Sequence, residues 1–168
     1  MQYVAALLAG IVGMTELVPS SGFSRYPARG ESNNSPERIE LATRRVGFAL
    51  GGWALLIGIA FWKTKNPLVL VAGALIAWGL VQSERFSCSN NSEWTTTVVW
   101  MAGWALLTWV GRDSSQPHWL WLGFLLVTLG VVLMTVGRCG SPAVDYLGRI
   151  LFAAGVLLHQ LAFDAPAR

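Results

Sequence analysis

The stretch HWLWLGFLLVTLGVVLMTV, residues 118–136, decides the class of this protein. It carries no acidic residue, lysine or arginine, and as a helix it would extend about 28 Å, close to the hydrocarbon thickness of a bilayer. Five further apolar stretches of similar length fill most of the remaining chain. They are Tyr3–Val18, Val46–Trp62, Pro67–Gln82, Thr95–Val110 and Tyr146–Phe163. We therefore predict a polytopic membrane protein with about six transmembrane helices.

The composition agrees with an environment of lipid. Apolar residues make up 54% of the chain and charged residues 12%, which is about half the charged share of a soluble domain. So few polar side chains could not cover a water-facing surface. In a bilayer the backbone must satisfy its own hydrogen bonds, which leaves helices or a closed barrel. The stretches are apolar throughout rather than alternating, so we predict an all-α integral membrane helical bundle that forms one domain over residues 1–168.

The distribution of arginines predicts the orientation. The formal net charge is +3, but the basic residues are dispersed, which does not fit nucleic-acid binding. If six helices span, the first, third and fifth loops share one side and carry most of the arginines. The positive-inside rule then places the long loop 19–45 on the cytoplasmic or matrix side of an organellar or bacterial inner membrane. Arg44 and Arg45, at the end of this loop, are candidates for contact with lipid headgroups.

Other short motifs favour the opposite orientation. Asn33-Asn34-Ser35 and Asn90-Asn91-Ser92 match the glycosylation acceptor pattern. Cys88 and Cys139, the two cysteines of the chain, fall in the third and fifth loops. They are candidates for a disulfide, which would require an oxidising compartment. Chance occurrence of both signals is the alternative, and we give the arginines more weight.

Part of the sequence recurs at a spacing of about 50 residues. Gly52-Trp53-Ala54-Leu55-Leu56 returns as Gly103-Trp104-Ala105-Leu106-Leu107, and Cys88 corresponds to Cys139. This period is one helical hairpin, and copies of a hairpin would be parallel repeats related by an axis along the membrane normal. The alternative is that apolar helices of similar composition resemble each other without duplication.

Two local patterns concern helix starts and helix packing. Ser35-Pro36-Glu37, in the second half of the long loop, matches a helix start with proline first and an acid in the first turn. We predict a short interfacial helix here that bends into the second apolar stretch. Gly47 and Gly51 form a small-xxx-small pair, which lets a second helix approach closely but does not identify it.

Nine tryptophans are an unusual number for a chain of this length. Trp62, Trp109 and Trp119 lie at predicted helix ends, where indole rings anchor at headgroup depth and contact lipid. Trp100 and Trp104 lie deeper and, being four residues apart, share one helix face. Lipid anchoring and helix packing are the simpler roles, and contact with a flat cofactor is the alternative.

The two histidines are the candidate ligands for a cofactor. His118 and His159 fall on the same side of the membrane in the six-helix arrangement, so they could ligate a haem or a pigment. A hydrogen bond to a neighbouring helix is the simpler role of an intramembrane histidine. Cofactors are otherwise undetermined by the sequence.

Ionisable residues fall near the predicted helix ends. Asp145 and Arg149 are four residues apart and should pair. None of the predicted spans carries a charge at its middle. This does not favour a proton relay or an ion-coupled transporter, both of which need a buried acid. The sequence also lacks HExxH, GxSxG and CxxC, so we predict that the protein is not an enzyme.

These observations lead to three functional hypotheses. The leading one is a non-catalytic structural or accessory membrane subunit of a larger complex, with a respiratory or photosynthetic assembly as the expected host. Its partners would be membrane lipids and other membrane protein subunits. The alternatives are a small transporter or channel built from parallel hairpin repeats, and a haem- or pigment-binding membrane protein.

Overall fold

A computed structural model of the chain describes residues 4, 7–9, 36–83, 92–114, 116–139 and 141–164. The secondary structure of these residues is helical, without a strand. Five helices have defined bounds: α1 Pro36–Thr64, α2 Leu68–Ser83, α3 Ser92–Val110, α4 Pro117–Cys139 and α5 Pro142–Asp164. Residues 7–9 are also helical, and Ala9 is buried in the core. The predicted all-α class is confirmed for the described part of the chain.

Proline determines where several helices begin. α1, α4 and α5 each start on a proline, whose fixed φ suits the first turn and whose missing N–H has no intrahelical partner to lose. α2 starts directly after Pro67, and Asn66 caps it by accepting the N–H of Leu68 at 3.0 Å from Oδ1. Lys65 and Asn66 alone therefore separate the end of α1 from the turn that opens α2.

α1 is longer than the sequence predicts. The helix begins at Pro36 as predicted, but it continues without a break to Thr64, over 29 residues. Residues 36–45 therefore belong to the same helix as the apolar stretch, and the predicted long loop 19–45 does not extend beyond the start of α1. The physical reason is that Glu37, Glu40 and Leu41 are good helix formers, so nothing in this segment stops the helix.

The helices alternate in direction around a shared aromatic core. Residues of α3 and α5 meet in the same order, Trp100 with Phe152 and then Thr108 with His159, so these two helices run parallel. Trp53 joins α1 to this core through an edge-to-face contact with the Trp104 ring, at 4.9 Å between centroids. This aromatic core therefore lies between α1, α3 and α5.

α4 and α5 form the most extensive helix pair. Glycines at every seventh position line their contact. They are Gly123, Gly130 and Gly137 on α4 and Gly148 and Gly155 on α5. A Cβ at Gly130 would lie 2.5 Å from the backbone nitrogen of Phe152, and one at Gly155 would lie 2.5 Å from that of Val127. Backbones this close leave no room for a larger residue, so the two helices form a tight antiparallel hairpin.

Three helical segments within the described residues are long and apolar enough to cross a membrane. They are Gly47–Thr64, Pro117–Gly137 and Pro142–Phe163. Leu68–Gln82 is apolar but shorter. α3 has the length, but its four tryptophans, four threonines and Glu93 make it less apolar. The prediction of about six spans thus has support in part, from three candidate spans.

Candidate functional site

Thr108 and His159 form a buried polar contact between α3 and α5. Both residues are fully buried. The Thr108 hydroxyl donates to the Trp104 carbonyl at 2.8 Å, and the same oxygen lies 3.0 Å from Nε2 of His159. Because a hydroxyl has a single proton, we assign Nε2–H as the donor and Thr108 Oγ1 as the acceptor of this second bond. His159 therefore links α5 to α3 by a hydrogen bond, the simpler of its two predicted roles.

Aromatic rings enclose this hydrogen bond. The Trp104 ring meets the His159 ring edge to face, with centroids 5.1 Å apart, and the Phe163 ring stacks on it at 6.2 Å. Trp100 and Trp104 share one face as predicted, since both contact Phe152, at 5.2 and 6.2 Å. Among the described residues, the faces of these rings are thus packed against other aromatic side chains of the same chain.

Several buried polar atoms in this cluster make no hydrogen bond to the described residues. They include Nδ1 of His159 and the indole Nε1 of Trp53, Trp100 and Trp104. The negative face of a neighbouring ring is a weak acceptor for an indole N–H, but it offers nothing to Nδ1 of His159, which carries no proton in the assigned tautomer. The cluster is therefore an aromatic packing unit crossed by one well-formed polar bond.

His118 has a different environment from His159. It is the second residue of α4, it is exposed, and its ring lies 5.4 Å from that of Trp119. No contact among the described residues joins the two histidine rings. His118 is thus exposed near the start of α4, whereas His159 is buried with its Nε2 bonded to Thr108.

The predicted pair of Asp145 and Arg149 is confirmed. Arg149 Nε donates to Asp145 Oδ2 at 2.9 Å, and the two side chains are only 4% and 13% exposed. Arg149 is the eighth residue of α5, so it lies two turns inside the helix rather than at its end. A charge at this depth requires a partner because of the cost of desolvation, and Asp145 supplies one from the preceding turn.

Two exposed tryptophans each hold a cation over their ring. Lys65 Nζ lies 3.9 Å from the ring centroid of Trp62, and Arg112 Cζ lies 4.2 Å from that of Trp109. In both pairs the tryptophan lies in the last turn of its helix, α1 or α3, and the cation follows three residues later, after the helix end. Trp119 near the start of α4 is 42% exposed. All three tryptophans predicted to contact lipid are thus on the surface. We call Lys65 with Trp62, and Arg112 with Trp109, the Trp–cation pairs.

The remaining predicted site residues lie outside the described part of the chain. This holds for all of Cys88 and for the side chains of Cys139, Arg44 and Arg45. The disulfide and the arginine–headgroup contact stay predictions.

The described residues thus define an all-helical protein with three candidate membrane spans, a tryptophan-rich core and two surface Trp–cation pairs. No protein-family model matches the sequence, and neither a curated protein nor a solved structure matches it. Function is therefore inferred from the geometry of this chain.

Proposed function

We propose that this chain is a non-catalytic, multi-pass membrane subunit that joins a larger membrane assembly through one face of α1. The observation that carries the proposal is the glycine face of α1, formed by Gly47, Gly51 and Gly58. These positions are exposed, and an added Cβ at each would meet no atom of the described residues within 4 Å. A small-xxx-small pair in a membrane helix allows close approach of another helix.

Most other glycines of the described residues lie in close contact with a neighbouring part of the chain. At nine of them an added Cβ would come closer than 3.0 Å to a neighbouring residue. Gly73 lies against Ile57, for example, and Gly79 against Trp100. Glycine inside a helix costs about 0.5–1 kcal/mol relative to alanine. Three exposed glycines on one face of α1 are therefore unfavourable in the isolated chain, and a partner helix would offset that cost.

The spacing on the glycine face of α1 matches that of the packed glycines in α5. In α5 each glycine is followed four residues later by a large side chain buried in the bundle. α1 has the same arrangement, but its large side chains, Leu55 and Trp62, are 57% and 65% exposed. The corresponding residues are Gly148, Phe152, Gly155 and His159 in α5 and Gly51, Leu55, Gly58 and Trp62 in α1. This match supports a helix-packing role for the exposed face.

The membrane location and the six-span topology belong to the same proposal. The three candidate spans support it, as does an outer surface with large exposed apolar side chains such as Phe48, Val98 and Leu125, at 72%, 64% and 59% exposure. Origin of the fold from hairpin repeats is supported by Trp53 and Trp104. These equivalent positions are both buried and contact each other, as expected near an axis between parallel repeats.

The alternative functions have less support. A transporter built from hairpin repeats predicts a polar cavity near mid-depth, whereas Trp100, Trp104 and Phe152 pack there. A haem or pigment held by two histidines requires His118 and His159 to share one site. In the structure His118 is exposed, whereas His159 is buried and bonded to Thr108. The host assembly, respiratory or photosynthetic, stays a prediction from the sequence.

The test is native mass analysis of the protein extracted from its own membrane in mild detergent. We expect the wild type to migrate within a large complex with defined partners, and Gly51→Leu to migrate alone. Because an added Cβ at Gly51 meets nothing, the variant should keep its fold. Ala74→Leu adds the same side chain at an exposed position of α2 and should stay in the complex. A wild-type protein that runs alone or as a small homo-oligomer would contradict the proposal.

A further inference from the structure

We propose that the Trp–cation pairs form a headgroup site for an anionic phospholipid at one end of the bundle. The site consists of Lys65 over Trp62 and Arg112 over Trp109, with Lys63 beside them. The inference rests on the proposed membrane insertion but not on the proposed assembly. The ligand would be a phosphate diester attached to an acylated glycerol.

The ends of three helices bring these cations to the same end of the bundle. Lys63, in the last turn of α1, donates from Nζ to the carbonyl of Phe163 at 3.4 Å. Gly111, directly after α3, lies against the Phe163 ring, where an added Cβ would be 2.5 Å from Cδ2. Phe163 near the end of α5 thus contacts the segments that carry both Trp–cation pairs. Lys65 follows Lys63 by two residues, and Arg112 follows Gly111 directly.

The local charge is positive among the described side chains. The two cations of the Trp–cation pairs, Lys65 and Arg112, stand against one acid, Asp113, which leaves an excess of one positive charge. Asp113 Oδ1 is 3.7 Å from Arg112 Nε, and its side chain is 89% exposed, so water screens this pair strongly. An anionic phosphate would therefore be attracted to this end of the bundle.

The cations retain the capacity to donate hydrogen bonds while they lie on the indole faces. An ammonium has three N–H donors and a guanidinium has five, and a π face engages only part of them. The remaining donors can reach phosphate oxygens as charge-assisted hydrogen bonds. The exposed rings beneath, 65% for Trp62 and 56% for Trp109, offer apolar surface at headgroup depth. This combination fits a lipid better than a free phosphate, which would not use the apolar surface.

The backbone at Lys65 gives a second, independent reason to assign its side chain a role. Lys65 has φ 54°, in the left-handed region that favours glycine or asparagine at a helix end. Its N–H closes α1 by donating to the Phe61 carbonyl at 2.7 Å. Glycine would make the same bond with less strain. A lysine in this position therefore indicates that its charge matters more than the backbone preference.

The experiment compares lipid retention by native mass spectrometry after incubation with equal amounts of phosphatidylglycerol and phosphatidylcholine. We expect wild type to retain phosphatidylglycerol in preference. Lys65→Gly and Arg112→Gln should each reduce this preference about fivefold, the factor expected for one cation at an anionic surface. Lys65→Arg keeps the charge and should keep the preference. Lys65→Gly should also unfold at the same or a higher temperature than wild type, which separates lost lipid binding from a damaged fold.

Two results would overturn the site. One is an unchanged preference for phosphatidylglycerol in Lys65→Gly and Arg112→Gln. The other is complete loss of the wild-type preference in excess inorganic phosphate, which would indicate a phosphate site without lipid selectivity. Alkaline carbonate extraction of native membranes distinguishes these results from failure of the membrane proposal itself. If the protein stays in the membrane but shows no lipid preference, only the proposal of a headgroup site fails.

Discussion

A single hydroxyl at position 108 connects two helices in the interior of this bundle. Replacing Thr108 with valine keeps the shape of the side chain and removes the acceptor for His159 Nε2–H. We expect the free energy of unfolding to fall by about 1–3 kcal/mol, because a buried donor is left unpaired. Thermal unfolding of the detergent-solubilised protein would measure the change.

Thr128 is the matched control for this substitution. Its hydroxyl donates to the Phe124 carbonyl at 2.8 Å, as that of Thr108 donates to the Trp104 carbonyl. Thr128→Val should therefore cost less than about 1 kcal/mol, since no second partner is stranded. Adding His159→Leu to Thr108→Val should recover part of the loss. Equal losses in the two valine variants would show that the hydrogen bond to His159 contributes nothing to stability.

At the scale of residues, the sequence predicted local pairs better than distant ones. Asp145 and Arg149 could be paired in advance because helical geometry alone brings residues four apart together. Thr108 and His159 are 51 residues apart, so their contact depends on how α3 and α5 pack. The burial of Arg149 was missed for the same reason. It follows from neighbouring helices, which a single-helix pattern does not contain.

At the scale of elements, the closeness of α4 and α5 depends on their glycines. Gly130→Ala would place a Cβ 2.5 Å from the backbone nitrogen of Phe152, and backbone cannot move aside as a flexible side chain can. We expect a loss of about 1–3 kcal/mol from overpacking, although alanine is the better helix former. Unfolding of the isolated protein by heat would measure it.

The opposite sign is expected on α1. Gly51→Ala meets nothing within 4 Å in the described residues, so in the isolated protein it should raise stability by up to about 1 kcal/mol through the backbone preference alone. Destabilisation by Gly51→Ala to the same extent as by Gly130→Ala would mean that α1 is packed against its own chain at this face.

Helix positions were predictable from sequence, but helix contacts were not. Apolar length and proline gave the helix bounds to within a few residues, except for α1, where good helix formers extend the helix into the predicted loop. The sequence drew attention to Gly47 and Gly51, whereas the observed close contacts involve glycines such as Gly130 and Gly155. Small-residue spacing marks faces that allow close helix packing, but the sequence alone does not show which of these faces is already filled within the chain.

At the scale of the whole molecule, several positions 51 residues apart share burial, as copies of one hairpin would. Leu56 of α1 and Leu107 of α3 are both buried, and so are Ala60, Gly111 and Ala162 at successive spacings of 51 residues. These positions thus face inward in α1, at or just after the end of α3, and in α5. Sequence comparison alone leaves composition as an alternative, but matched burial is what copies of one packing unit would produce.

The two native cysteines test whether α2 and α3 cross the membrane with the other helices. Cys88 lies in sequence between α2 and α3, and Cys139 ends α4. If α1 to α5 all cross, both cysteines are on the same side. If only the three candidate spans Gly47–Thr64, Pro117–Gly137 and Pro142–Phe163 cross, the cysteines are on opposite sides, because α4 alone then separates them.

We expect the same side, because α2 and α3 pack on each other and the remaining helices rather than standing apart. Cys139→Ser and Cys88→Ser each leave one reporter, and a membrane-impermeant maleimide applied to sealed, oriented vesicles should label both variants or neither. Labelling after permeabilisation confirms that each thiol is reactive. Labelling of one variant alone in sealed vesicles would restrict the membrane-crossing helices to the three long apolar ones and place the hairpin α2–α3, with its tryptophans, outside the hydrocarbon core.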